Sequence, residues 1–189
     1  MTKEKIAFIV VRYGKDINGG AEYHCRMLAE RLVNDYDVEV LTTCVKNYVT
    51  GDNEYPEGEE ILNGVLVRRF YSDPVEPDLH KSYVRQAAPA KKWRHFLYRC
   101  RLLKPLSYVK PIWHYKEQEE IKALNSQVFY SSSMYAFIRE NKASYRAFIP
   151  LSFFPHTSDT ALYAPEKTIL IPTTVSYTHL RAHETGAYL

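Results

Sequence analysis

The sequence predicts an α/β protein: a Rossmann-like open parallel sheet with helices on both faces. Three observations predict it. IAFIVV (Ile6 to Val11) is a continuous apolar run without alternation, the pattern of a strand buried on both faces. A glycine pair stands at 19 and 20, and beyond it Ala21, Cys25, Leu28, Ala29 and Leu32 recur at helical spacing. DVEVLTTCV, from Asp37, returns to strand character, so strand, helix and strand fit within about forty residues, enough for one right-handed βαβ unit. A chain of 189 residues that is 46% hydrophobic buries one substantial core, and its length suggests a single domain over residues 1–174.

The remaining elements follow in order. The first helix is expected to run about four turns from Ala21 and to end near Asp35. NEYPEGEEILNG is turn-rich and acidic, and VLVRRFY (Val65 to Tyr71) reads as a third strand introduced by the turn at Asn63 and Gly64. SDPVEPD breaks the pattern. KKWRHFLYRCRLLKP places Trp93, Phe96, Leu97, Cys100 and Leu103 on one helical stripe with Lys92, Arg94, Arg99 and Arg101 around it, and Pro105 is expected to end that helix. WHYKEQEEIKALNSQ and SSSMYAFIRENKA read as further helices, the second with a serine as N-cap and Met134, Phe137 and Ile138 on one face. YRAFIPLSFF and KTILIPTT suit two more parallel strands.

Bulk properties exclude several classes. The three cysteines, Cys25, Cys44 and Cys100, lie far apart with no Cys-x-x-Cys pair, so neither a disulfide framework nor a zinc ribbon is written here, and a reducing cytoplasm is the expected compartment. The apolar run near the N-terminus ends at Arg12, too short for a signal peptide or a membrane span. Net charge is only +3, but residues 81–110 hold nine Lys or Arg and no Asp or Glu, while the remainder carries 16 basic and 22 acidic residues. Such segregation points to an anionic partner for one surface, whether lipid headgroups, polyphosphate or nucleic acid, against the plainer reading of a solvated basic helix.

The chemistry concentrates in the loop from Gly14 to Gly20. A helix that starts there leaves its first N–H groups without intrahelical partners at the positive end of its dipole, and glycines at 19 and 20 let an anion come close. The alternative is a plain tight turn, with Glu22 in the first helical turn complementing the dipole. Gly-x-G-x-x-Gly is absent, the second strand ends LTTC with no acidic residue for a ribose, and the Gly-Lys of a Walker loop is missing. Dinucleotide and P-loop chemistry are therefore not expected.

RYGKDINGGAEYHCRMLAERL, then DVEVLTT, then NEYPEGEEILNGVLVRRF resemble, in order, the N-terminal domain of family-four retaining glycosyltransferases, which have the GT-B fold. The resemblance covers roughly residues 5–71, and KTILIPTT is similar to a later strand of the same domain, whereas residues 75–145 match only loosely. It implies transfer of a sugar from a nucleotide-sugar donor to a glycan or lipid-linked acceptor with retention of anomeric configuration, with no metal and no cofactor besides the nucleotide-sugar co-substrate. It assigns Gly19 and Gly20 to a loop facing the donor phosphates, with Arg12 and Tyr13 as cleft neighbours, and it makes His156, in SFFPHTSDT, the candidate substrate contact, with Asp159 behind it. This stretch would be the acceptor-side domain; the donor-binding domain with its paired glutamates is not in it, so the chain alone is expected to be inactive.

The basic segment carries the expected contact with a peripheral membrane or other anion, through Lys91, Lys92, Trp93 and Arg94. The competing reading is a non-catalytic module that holds nucleic acid or another polyanion, although Trp93, Phe96 and Tyr98 lie in a helix and no standard nucleic-acid motif is present. VSYTHLRAHET resembles a translated sequencing adapter and begins where the family resemblance stops, so residues 175–189 are expected to be non-native. His179 and His183 stand four apart there, but a third ligand and a supporting shell are missing, and no metal site is read from them.

Overall fold

In a computed structural model of the chain, residues 3–109, 114–151 and 156–171 are described, and the expectations for the tail at 175–189 and for the end of KTILIPTT lie outside them. The fold is α/β and Rossmann-like. The strands are β1 (Lys5–Ile9), β2 (Asp37–Thr43), β3 (Gly58–Leu62), β4 (Val65–Phe70) and β5 (Ala147–Pro150). The helices are α1 (Gly20–Leu32), α2 (Pro77–Arg99), α3 (Leu103–Val109), α4 (Glu117–Asn125), α5 (Ser132–Asn141) and α6 (His156–Tyr163).

The five strands lie in the order β3-β4-β2-β1-β5. β1 pairs in parallel with both β2 and β5, β2 pairs in parallel with β4, and only β3 runs antiparallel, against β4. β1 lies inside the sheet, between β2 and β5, and its side chains are covered on both faces, as its unbroken apolar run requires. Ile6, Phe8 and Val10 point to one face and pack with Cys25 and Ala29 of α1, whereas Ala7 and Ile9 point to the other and pack with Met134, Tyr135 and Ile138 of α5. Each fully buried large side chain in these layers contributes roughly 1.5–3 kcal/mol of hydrophobic stabilisation.

The chain divides into two compact units. Over the described residues the first comprises 3–74 and 128–171, and the second lies within 75–127. The link between β4 and α5, which in a simple parallel sheet is a single crossover, therefore carries an inserted helical unit. Within it α2 and α4 pack together, with Arg94 ion-paired to Glu120 and His80 Nδ1 2.8 Å from Ser126 Oγ.

Several expectations change. The acidic stretch before Val65 contains a strand, β3, held at the sheet edge by cross-strand pairs of Glu59 with Arg68 and Glu60 with Arg69. The basic helix begins at Pro77, in the segment that read as a break, because proline is well placed in a first helical turn, where its missing N–H has no intrahelical role. It ends at Arg99 rather than at Pro105, which lies in α3, and Pro89 sits inside it. KTILIPTT runs beside β5 in parallel, with Ile169 N–H donating to the Phe148 carbonyl at 2.8 Å, but makes only an isolated bridge at Thr168 over its described residues.

A crevice at the reversal of strand order

From β1 the chain moves outward to β2 and then β4, and then crosses back to place β5 on the other side of β1. In open α/β sheets the crevice beyond the strand ends at such a reversal is where ligands bind. The loop after β1 leads to it through Arg12, Gly19 and Gly20 into α1, and α6, which follows β5, begins at His156.

The loop after β1 is held from several sides. Thr42 and Thr43, the pair that ends β2, both donate their hydroxyls to the Val11 carbonyl, at 3.1 and 2.6 Å. Arg69 Nη1 donates to the Tyr13 carbonyl at 2.7 Å, and Arg26 of α1 reaches the carbonyls of Gly14 and Lys15 at 3.4 and 3.3 Å. These contacts fix the backbone that enters α1, so a ligand meeting it would pay little to order it.

Arg12 is the centre of the loop's charge. Its Nε and Nη2 donate to Glu22 Oε1 at 3.1 and 2.8 Å, its Nη1 donates to the Lys46 carbonyl at 3.0 Å, and its guanidinium lies 3.7 Å from the centre of the Tyr48 ring. Burial, reinforced by Glu22, pushes the Tyr48 phenol up to about 12. Glu22 is buried, and its carboxylate folds back over the helix start. A Cβ on Gly19 would come within 2.0 Å of Glu22 Oε2, so glycine at 19 makes room for this internal carboxylate. Nothing lies within 4 Å of a Cβ placed on Gly20, and no side chain caps the helix. The glycine pair thus has two jobs: one member accommodates Glu22 and the other leaves the first turn of α1 open.

Tyr13 does not line the crevice with its side chain; the ring is buried in the core beneath α1, as the tight turn into the loop directs it inward. Burial raises its phenol well above the ordinary value. His156 is also wholly buried. Its Nδ1 lies 2.6 Å from the Tyr135 hydroxyl, and burial holds the imidazole down to about 3, so it is neutral at physiological pH. Burial also keeps the Tyr135 phenol protonated; we assign it as donor to Nδ1, which leaves the imidazole N–H on Nε2, an atom without a partner among the described residues. Asp159, one turn along α6 and equally buried, is pushed up to about 7 by burial.

The residues expected to contact membrane or anion lie in the second unit, on α2. Lys91, Lys92 and Trp93 are exposed, but Arg94 turns inward to Glu120 and leaves the outward group. Leu97, expected beside Trp93 and Phe96, is on the buried side, while those two aromatics are exposed.

A second buried charge cluster lies within the sheet. Glu39 of β2 has no exposed surface; it accepts from Arg68 Nε at 2.7 Å and from the Tyr145 hydroxyl, and Lys5 Nζ lies 2.9 Å away. Burial alone would raise its carboxyl, but the hydrogen bonds from Tyr145, Lys5 and Arg68 outweigh it and hold the group below the usual carboxylate range. This cluster ties β1, β2 and β4 to the segment leading into β5, and its charges compensate one another. It is structural.

Among the described residues no group of three or more His, Cys, Asp or Glu is placed to hold a metal, and no helix is long and apolar enough to cross a membrane. No family model matches the chain, and no curated protein matches it significantly.

Proposed function

We propose that the chain is the acceptor-side domain of a retaining glycosyltransferase, which acts with a second, donor-binding domain on a nucleotide-sugar and a glycan or lipid-linked acceptor. The reading rests on one observation above the others: the Arg12–Gly20 loop enters α1 beside the reversal of strand order, with the first turn open at Gly20. N–H groups so oriented stabilise negative charge that grows on a departing diphosphate, and Arg12 supplies a cation beside them. The ordered resemblance of residues 5–71 supplies the chemistry, glycosyl transfer. In this reading Glu22 holds Arg12 until a diphosphate competes for it. His156, neutral and buried against Tyr135 at the start of α6, is a structural group rather than an acid.

Titration of the chain with uridine diphosphate, followed through backbone amide resonances, tests the site. Saturable shifts centred on Arg12, Gly19, Gly20 and Ala21 are expected. Shifts scattered over the surface, or none at millimolar ligand, would remove the loop from the donor site.

A further inference from the structure

We propose that the outward face of α2 binds the surface of an anionic lipid bilayer. The helix has 23 residues and two chemically distinct sides. On the inner side Ala87, Ala90 and Leu97 are buried, and Arg94 is ion-paired with Glu120 of α4. The other acids of α4 are also engaged locally, Glu117 with His114 and Glu119 with Lys116. On the opposite side Lys81, Arg85, Lys92, His95 and Arg99 recur at helical spacing of three, four or seven residues, and all are exposed. Arg85, Lys92 and Arg99 have no acidic partner among the described residues, and Lys81 meets only the fully exposed Asp78, at 3.6 Å. A run of cations with a single acid, Asp78, at its N-terminal end has its complement in a surface of negative charge.

The aromatic residues decide which surface. Trp93 and Phe96 stand next to this cationic row, 45% and 55% exposed, and stack on each other with ring centres 5.9 Å apart. Exposed rings beside Lys and Arg suit the boundary between headgroups and acyl chains, where the rings enter and the cations stay with the phosphates. Single-stranded nucleic acid instead asks for a platform of open ring faces on which successive bases stack, whereas here Trp93 and Phe96 stack against each other and each turns one face to its neighbour. No described helix is long and apolar enough to span a bilayer, so the contact is peripheral. It does not depend on the glycosyltransferase reading, because α2 lies outside the crevice and outside the unit that carries it.

The test is co-sedimentation of the full chain with vesicles made of equal parts phosphatidylglycerol and phosphatidylcholine, compared with phosphatidylcholine alone. Binding to the anionic vesicles only is expected, falling as salt is raised. Arg85→Glu, Lys92→Glu and Arg99→Glu together are expected to weaken it about a hundredfold or more, from the usual contribution of each basic residue at an anionic surface. These positions are exposed and outside the core, so an unchanged helical spectrum and melting temperature establish that the triple variant is folded. With Trp113→Phe removing the other tryptophan, Trp93 emission shifts to the blue on the anionic vesicles. Equal binding to neutral vesicles, no binding to either, binding unaffected by the triple substitution, or displacement from vesicles by a single-stranded oligonucleotide at lower concentration than needed for lipid would each overturn the proposal.

Discussion

His156 and Asp159 lie one turn apart on α6 with no exposed surface, and burial moves them in opposite directions. The histidine falls from 6.5 to about 3 and the aspartate rises from 3.8 to about 7. Between these limits the unfolded chain protonates the histidine but the folded chain does not, so the stability tied to His156 is full above 6.5 and is lost as pH falls toward 3. The folded chain keeps the Asp159 proton that the unfolded chain releases, so its stability is full below 3.8 and is lost as pH rises through 7. Each slope is about 1.4 kcal/mol per pH unit, and across the shared window the two cancel. Asp159→Asn removes one slope: relative to wild type, the variant is expected to gain up to about 4 kcal/mol as pH rises through the aspartate window. His156→Gln, which keeps an acceptor for Tyr135, should gain a similar amount toward acid. Urea denaturation of the three chains across the acidic to neutral range measures these differences. Stability profiles that stay parallel for wild type and both variants would refute the assignment of opposite buried protonation states.

Two further outcomes follow from the charge clusters. Glu39→Gln leaves the Lys5 and Arg68 charges without their buried partner and is expected to cost about 2–3 kcal/mol at neutral pH, discounted because both cations are partly exposed. Since the folded carboxyl is held low, the wild-type advantage is present above the ordinary value of 4.5 and lost as pH falls through the folded value; a gap in urea midpoints that persists in strong acid would contradict this. Glu22→Gln frees Arg12 for an external anion, and calorimetric titration with inorganic pyrophosphate is expected to show about tenfold tighter binding, the equivalent of roughly 1.4 kcal/mol. Unchanged or weaker binding would mean that Glu22 supports the site rather than competing for it.

The sheet was legible where burial on both faces left continuous apolar runs, at Ile6 to Val11 and from Val38 onward. β3 was not, because an edge strand with exposed Glu59 and Glu60 has neither alternation nor hydrophobicity to announce it. Its signal was electrostatic: two adjacent glutamates followed, beyond an Asn-Gly turn, by two adjacent arginines. In the sequence Pro77 reads as a break, although proline equally marks a helix start, and this hides the first half of α2. The position of the glycine loop was legible from the alternation of strand and helix. Its internal pairing was not, since Arg12 and Glu22 are ten residues apart and meet only when the loop closes. Glu39 did carry a signal, a lone charge within a buried strand.

Anomer-resolved NMR of the product formed from a nucleotide-sugar by a protein that carries this chain together with the proposed donor-binding domain tests the central claim most directly. The account predicts release of nucleoside diphosphate and a glycoside with the anomeric configuration of the donor, both weakened when Gly20 is replaced by a bulky residue that closes the open first turn of α1. Inverted configuration, or no turnover across donors and acceptors by a protein that binds them, would contradict it.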